Sequence, residues 1–213
     1  MHLHRLVSFI ALSLGASAAS VHIGTRQLSP GGQSCVVNTS PDRFLLKATY
    51  KTAPFDTADL VITYADYNTA PPPNPIPSNP SKTSNYVLSV KDWYQGSFNY
   101  TLETNVLNAV ARLRPILKIS PTILRSGESP AFIAKLFTAI PDVWAGYCFM
   151  NSDTATGAPH LLAANEHSDK WAICSNSTSE VPGRLDVVYD PVSNHPSYQL
   201  NSCQGVTIEV VPV

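Results

Sequence analysis

The chain has 213 residues, 14 Lys and Arg against 15 Asp and Glu, and a formal net charge of −1 at neutral pH. Only 14% of its residues are charged and no basic block occurs, which argues against a surface that tracks nucleic-acid phosphates. Ser, Thr, Asn and Pro supply much of the polarity, the mix expected of an extracellular β domain.

The first element is an export signal. Met1 is followed by His2, His4 and Arg5, then by the uncharged run Leu6–Leu14, then by Ala16, Ser17, Ala18 and Ala19. Positive start, short apolar centre and small residues are the order of a secretory signal peptide, here residues 1–18. The apolar run is about half the roughly 20 residues needed to span a bilayer. No later stretch reaches that length, and the end of the chain lacks the hydrophobic tail of a lipid anchor. Cleavage leaves 195 residues, enough for one substantial core, and the expected location is secreted, outside the cell.

Residues 19–33, with Pro30-Gly31-Gly32, read as a disordered lead-in. Residues 34–213 read as a single disulfide-bonded β domain. Phe44, Leu46, Ala48 and Tyr50 alternate with Lys47 and Thr49, predicting a half-buried strand. Leu60–Tyr64 is rich in β-forming residues and predicts a second. Residues 70–80 carry six prolines, so neither helix nor sheet is expected there; they read as a long extended loop. Tyr86–Val90 and Phe98–Leu102 predict two more strands.

Two segments carry a helical spacing. Val106, Leu107, Val110 and Leu113 precede Pro115, within residues 103–117. Ser129-Pro130 resembles a helix start, and Phe132, Ile133, Leu136, Phe137 and Ile140 follow within residues 129–140. Short helices and strands both fit. The last third is plainly β: Val143–Met150, Lys170–Cys174, Leu185–Tyr189 and Val206–Val210 are separated by Gly, Pro, Asn and Ser clusters. Val206, Ile208 and Val210 should share one face. The whole predicts a mainly β fold, an antiparallel β-sandwich or barrel, with room for one or two short helices.

The four cysteines are Cys35, Cys148, Cys174 and Cys203. In an oxidising compartment two disulfides are the default. Cys174–Cys203 with Cys35–Cys148 is the favoured pairing, the first closing a loop worth roughly 3 kcal/mol in the chain-entropy account. On separation alone Cys148–Cys174 remains nearly as good. Sequons at Asn38, Asn99 and Asn176 fit the same route, and a modified Asn must face solvent.

Trp171-Ala172-Ile173-Cys174 and Cys203-Gln204-Gly205-Val206-Thr207-Ile208, with Phe44-Leu45-Leu46 as an early strand, resemble the pattern of an uncharacterised family of small secreted fungal proteins. The resemblance implies a secreted β-rich fold and supports the Cys174–Cys203 pair. It brings no site residue. The proline-rich insertion, Cys35 and Cys148 depart from that pattern.

No catalytic motif is present: there is no G-x-S-x-G elbow and no H-E-x-x-H. Cys148, His160, His167 and Cys174 carry zinc-binding chemistry, but their gaps are wide and disulfides explain the cysteines more simply. No cofactor or metal is expected. Glu103, Glu128, Asp142 and Glu166 are unmarked among the acids. The stretch His160–Trp171 reads as a solvated turn between strands. Trp93 and Tyr94, with Phe98 and Tyr100, form an aromatic cluster that offers a ligand face if exposed, and core if not. The resulting expectation is a secreted, non-catalytic extracellular or cell-wall-associated β domain whose partner is a cell-wall glycan or an extracellular protein. The competing reading is a secreted hydrolase of carbohydrate or ester bonds, recognised by a pocket where His160 or His167 meets a carboxylate or hydroxyl.

Overall fold

Alternation explains most of the chain's backbone choice. In the computed structural model, residues 35–64, 85–90, 98–111, 117–119, 123–134, 144–152, 159–178 and 183–213 are described. Twelve strands lie among them: β1 (Ser40–Tyr50), β2 (Thr57–Tyr64), β3 (Asn85–Val90), β4 (Phe98–Glu103), β5 (Val106–Ala111), β6 (Leu117–Ile119), β7 (Ala131–Ala134), β8 (Tyr147–Asn151), β9 (His160–Ala164), β10 (Trp171–Ser175), β11 (Leu185–Tyr189) and β12 (Gln204–Pro212). A 3-10 turn at Leu200–Ser202 is the one helical element among the described residues.

The strands pair antiparallel throughout. Six of them close a barrel in the order β1-β2-β3-β11-β10-β12 and back to β1. Closure removes the sheet edges that an open sheet would leave unpaired. The long β1 serves two neighbours on one side: Ser40 and Phe44 pair with β4, Lys47–Thr49 with β2. From β4 the sheet continues through β5, β6 and β7 and returns to β3. On the other flank β9 joins the end of β12, and β8 joins β9. The seam between β3 and β11 is short, with Asp186 opposite Ser89. There Ser89 Oγ donates to the Leu185 carbonyl at 2.6 Å.

The interior is built by every second residue. Phe44, Leu46 and Ala48 of β1 meet Leu60 and Ile62 of β2, Leu88 of β3, Trp171 and Ile173 of β10, and Val206, Ile208 and Val210 of β12 in one buried cluster. The shared face expected for β12 is thus present. Trp171 Nε1 donates to the Leu162 carbonyl at 2.9 Å, so the indole's one polar atom is satisfied inside the core. The opposite face of β10 and β11 carries a second cluster of Ala172, Cys174, Val188 and Tyr198. Both disulfides are as favoured: Cys35–Cys148 and Cys174–Cys203.

The choice between helix and strand left open by the two helically spaced segments falls to strand where the structure describes them. Within 103–117, Val106–Ala111 is strand β5, paired with β4 through the full register Phe98↔Ala111 to Glu103↔Val106. Val106, Leu107, Asn108 and Ala109 are all buried. A strand covered on both faces loses its alternation, and a continuous apolar run then imitates a helix. Within 129–140, Ala131–Ala134 is strand β7, with Phe132 opposite Tyr86. Pro130 is well placed just ahead of it, because its missing N–H falls before the ladder begins. The span read as a turn, His160–Trp171, is also divided: His160–Ala164 is β9. Asn165-Glu166 then reverses the chain with positive φ at both residues (50° and 63°), the geometry of a two-residue hairpin turn. The signal segment 1–18, the lead-in 19–33 and the proline-rich stretch 70–80 lie outside the described residues.

Candidate functional site

One end of the barrel gathers polar side chains from four segments. The start of β10 brings Asp169 and Lys170, and the end of β11 brings Asp190. The β9–β10 turn brings Asn165 and His167, and residues 123–128 cross over them. That crossing is fixed by backbone bonds: Gly127 N donates to the carbonyls of Tyr189 (2.7 Å) and Asp190 (3.0 Å), and Tyr189 N donates to Glu128 (2.9 Å). Gly127 has φ +90°, and a Cβ there would sit 2.8 Å from Val192 Cγ2. Only glycine fits that approach. Asn165 Nδ2 donates to the Leu124 carbonyl at 3.0 Å and closes the arrangement.

Asp190 is the hub. Ser126 Oγ donates to its Oδ2 at 2.6 Å, and Lys170 Nζ stands 3.4 Å from the same oxygen. The Ser126 hydrogen bond is the largest effect on this carboxyl; burial opposes it, and the Lys170 charge then adds to the lowering, so the carboxyl lies below its ordinary range. A carboxylate so stabilised is a poor base. His167 Nδ1 lies 3.4 Å from Asp169 Oδ1. Burial pushes the neighbouring Tyr189 hydroxyl up, partly countered by its hydrogen bond with Asn165.

Beside the hub, on the outer wall, an open cleft of about 300 Å³ is lined by Lys51, Asp169, Lys170, Asp190, Leu200 and Gly205 among others. Strand alternation produces it. Ala172 and Gly205 face each other across the β10–β12 ladder, and neither has a side chain beyond a methyl group, so the floor is flat. The Lys51 stem runs over Gly205, where an added Cβ would meet Lys51 Cδ at 3.4 Å. Its ammonium reaches the Asp169 carbonyl and donates to it. Burial pushes the Lys51 amine down, and the Asp169 charge partly restores it. Leu200, 46% exposed, supplies an apolar wall.

A second cleft of about 320 Å³ is lined by Tyr50, Thr52, Ala53, Pro54, Asp56 and Gln204. Phe55, 60% exposed, belongs to this same β1–β2 loop.

The residues singled out from sequence scatter differently. Trp93 and Tyr94, the expected ligand face, lie outside the described residues, as does Asp142. Tyr100, from the same aromatic cluster, is fully buried and is core. Cys148 and Cys174 are consumed in disulfides. Among the described residues no group of three His, Cys, Asp or Glu side chains is placed to hold a metal. His160 stacks on Phe149 with centroids 6.0 Å apart, and His195 stacks on Tyr198 at 4.3 Å. Glu128 Oε2 accepts from the Arg125 N–H at 2.9 Å and holds its own turn. Glu103 and Glu166 are exposed at strand ends.

Among the sequons, Asn38 is exposed. Asn99 is 4% exposed within β4, whereas a glycan-bearing amide must face solvent. Asn176 is half-buried; its Oδ1 accepts from Thr178 N at 2.9 Å, and its Nδ2 donates to Asp186 Oδ2 at 2.6 Å.

Lys51, Ser126 and Asp190 were not singled out from sequence. Each comes from a different strand or loop, and no local pattern joins them. Among the described residues, no helix is long and apolar enough to cross a membrane. No protein family, curated protein or solved structure matches the chain.

Proposed function

We propose that the mature chain is a secreted, non-catalytic β domain of the cell wall or surrounding medium that binds a glycan in the Lys51–Asp190 cleft. The carrying observation is the cleft itself, a flat small-residue floor with hydrogen-bonding walls. Sugar rings present hydroxyls around a flat apolar face, and Ala172, Gly205 and Leu200 offer apolar contact while lysines donate and aspartates accept. Two disulfides are compatible with the oxidising surroundings this role requires. The experiment is an array of wall oligosaccharides probed with the mature, oxidised chain and with Gly205→Leu, which fills the floor. Binding that disappears in Gly205→Leu supports the reading. Undiminished binding places the ligand elsewhere, and capture of an extracellular protein without glycan would replace it.

The hydrolase reading has one favouring observation, the His167–Asp169 contact beside the cleft. Against it, the Ser126 hydroxyl is turned to Asp190 and not to a histidine, so Ser126 is not set up as an activated nucleophile. Turnover of a polysaccharide or model ester that is lost in His167→Ala would establish the hydrolase instead.

A further inference from the structure

The three sequons end in three different settings. Asn38 follows the Val37–Phe149 bridge and precedes β1, and it is exposed. The backbone there is fixed: the Asn38 carbonyl accepts from Asn105 N at 2.7 Å, and Thr39 Oγ1 accepts from Thr104 N at 3.1 Å. Asn99 lies within β4. Its neighbours Tyr100 and Leu102 belong to the core cluster, so alternation turns Asn99 and Thr101 to the other face. That face is covered as well: Asn99, Thr101 and Asn108, the residue opposite Thr101, are all buried. Asn176 is engaged at both ends of its amide, and its Nδ2 is aimed at Asp186, the carboxylate of the buried pair with Arg184.

We infer that the folded, exported chain carries an N-linked glycan on Asn38 and on neither of the other sequons. This rests on the proposal that the chain is secreted, and adds where it is modified. The co-substrate is a lipid-pyrophosphate-linked oligosaccharide of the secretory compartment. Asn38 Nδ2 attacks the anomeric carbon of the sugar. The N–C bond forms, the bond from that carbon to the pyrophosphate oxygen breaks, and one amide proton leaves along with the lipid pyrophosphate. Transfer precedes folding, so the folded state filters the modified chains. A sugar on Asn99 would have to be buried when β4 pairs with β1 and β5, and hydroxyls taken from water without partners are costly. A sugar on Asn176 would crowd Nδ2 away from Asp186 and loosen a buried ion pair. A sugar on Asn38 meets solvent. The eleven residues of β1 then separate it from Lys51 by about 35 Å of strand, so the cleft stays open. Pro41 directly follows the Asn38 sequon and restricts the chain there, so occupied and unoccupied forms are both expected.

The test expresses the full chain, with its own residues 1–18, in a eukaryotic secretory host. The medium is treated with an endoglycosidase that leaves the first sugar on its asparagine, and the peptides are weighed. The retained sugar should sit on the Asn38 peptide alone. Asn38→Gln and Ser40→Ala should each abolish the glycoform, and Ser40→Thr should keep it. Thr101→Val removes the Asn99 sequon at little structural cost, because the Thr101 hydroxyl is buried without a hydrogen-bond partner among the described residues; the secreted glycoform should be unchanged. A sugar found on Asn99 or Asn176 of the exported, disulfide-bonded chain would overturn the folding filter. An exported chain with Asn38 bare would overturn the site and leave secretion standing. A chain that never enters the secretory pathway would overturn both.

Discussion

Strand β11 carries an ion pair at each end, and the two live in different solvents. At its start, Arg184 Nη2 meets Asp186 Oδ2 at 2.8 Å with side chains 6% and 7% exposed. At its end, Lys170 and Asp190 stand 3.4 Å apart, 36% and 40% exposed. The first pair is held in place: Arg184 Nε also donates to Asp186, as does Asn176 Nδ2. The second is loose, shares its oxygen with Ser126, and borders the cleft. Charges that must be matched to be buried make poor binding groups; charges left half in water are available to a ligand. The contrast marks the beginning of the strand as structural, and it is at the end that the proposed glycan cleft lies.

The largest effect should come from the buried end. Arg184→Met leaves the Asp186 carboxylate without its cation and should cost about 3–5 kcal/mol in urea unfolding. Adding Asp186→Leu should recover most of that loss, because Asp186 Oδ1 has no hydrogen-bond partner among the described residues and its burial is not fully offset. A single-variant cost below about 1 kcal/mol would erase the contrast between the two ends.

Next in size is the Cys174–Cys203 disulfide, whose partners are 29 residues apart. Replacing both with Ala should lower stability by about 3–4 kcal/mol. It should also weaken the proposed glycan binding, since Cys203 and Leu200 frame the cleft.

At the exposed end the expected changes are small. Lys170→Met should shift stability by less than about 1 kcal/mol. Asp190 has a folded-state pKa below its unfolded value, so its stabilisation is present above that unfolded value. It is lost as pH falls through the folded one. Ser126→Ala removes the chief cause. The Asp190 carboxyl should then titrate higher by carbon NMR, and the acid limb below about pH 4 should become shallower. An unchanged titration would assign the depression to Lys170 instead.

Lys51→Met should change stability least. Burial lowers the Lys51 pKa, so its charge opposes folding at neutral pH, and that cost fades only as pH rises through the unfolded value near 10.4. Unfolding at pH 7 should show stability unchanged or slightly raised. A clear loss would make Lys51 a structural strap.

Much of the barrel could be read from local pattern. The alternation of Phe44 to Tyr50, the β-rich run Leu60–Tyr64 and the staggered Val206, Ile208 and Val210 each specify one buried face, and each strand sits where expected. The same signal left Val106–Ala111 open between helix and strand, because a strand covered on both sides no longer alternates. It failed for His160–Ala164 because an Asn-Glu turn lacks the glycine that usually marks a hairpin. The cleft was not legible at all. Lys51 ends one hairpin arm, Asp169 and Lys170 end a turn, and Asp190 ends a strand; each reads alone as an ordinary solvated charge.

The sequence by itself determined a β domain with its inward faces, because alternation acts over short range; it favoured the two disulfides but left Cys148–Cys174 open, and the tertiary structure decided the pairing. Ring closure was decided only in three dimensions, where β12 returns to β1 and β11 meets β3. That same closure placed Ala172 opposite Gly205 and drew the Lys51 stem over the gap. Hydrophobic periodicity encodes which side of a strand is buried; it does not encode which strand lies next to it. The site lies between neighbours, so the tertiary structure alone could assemble it.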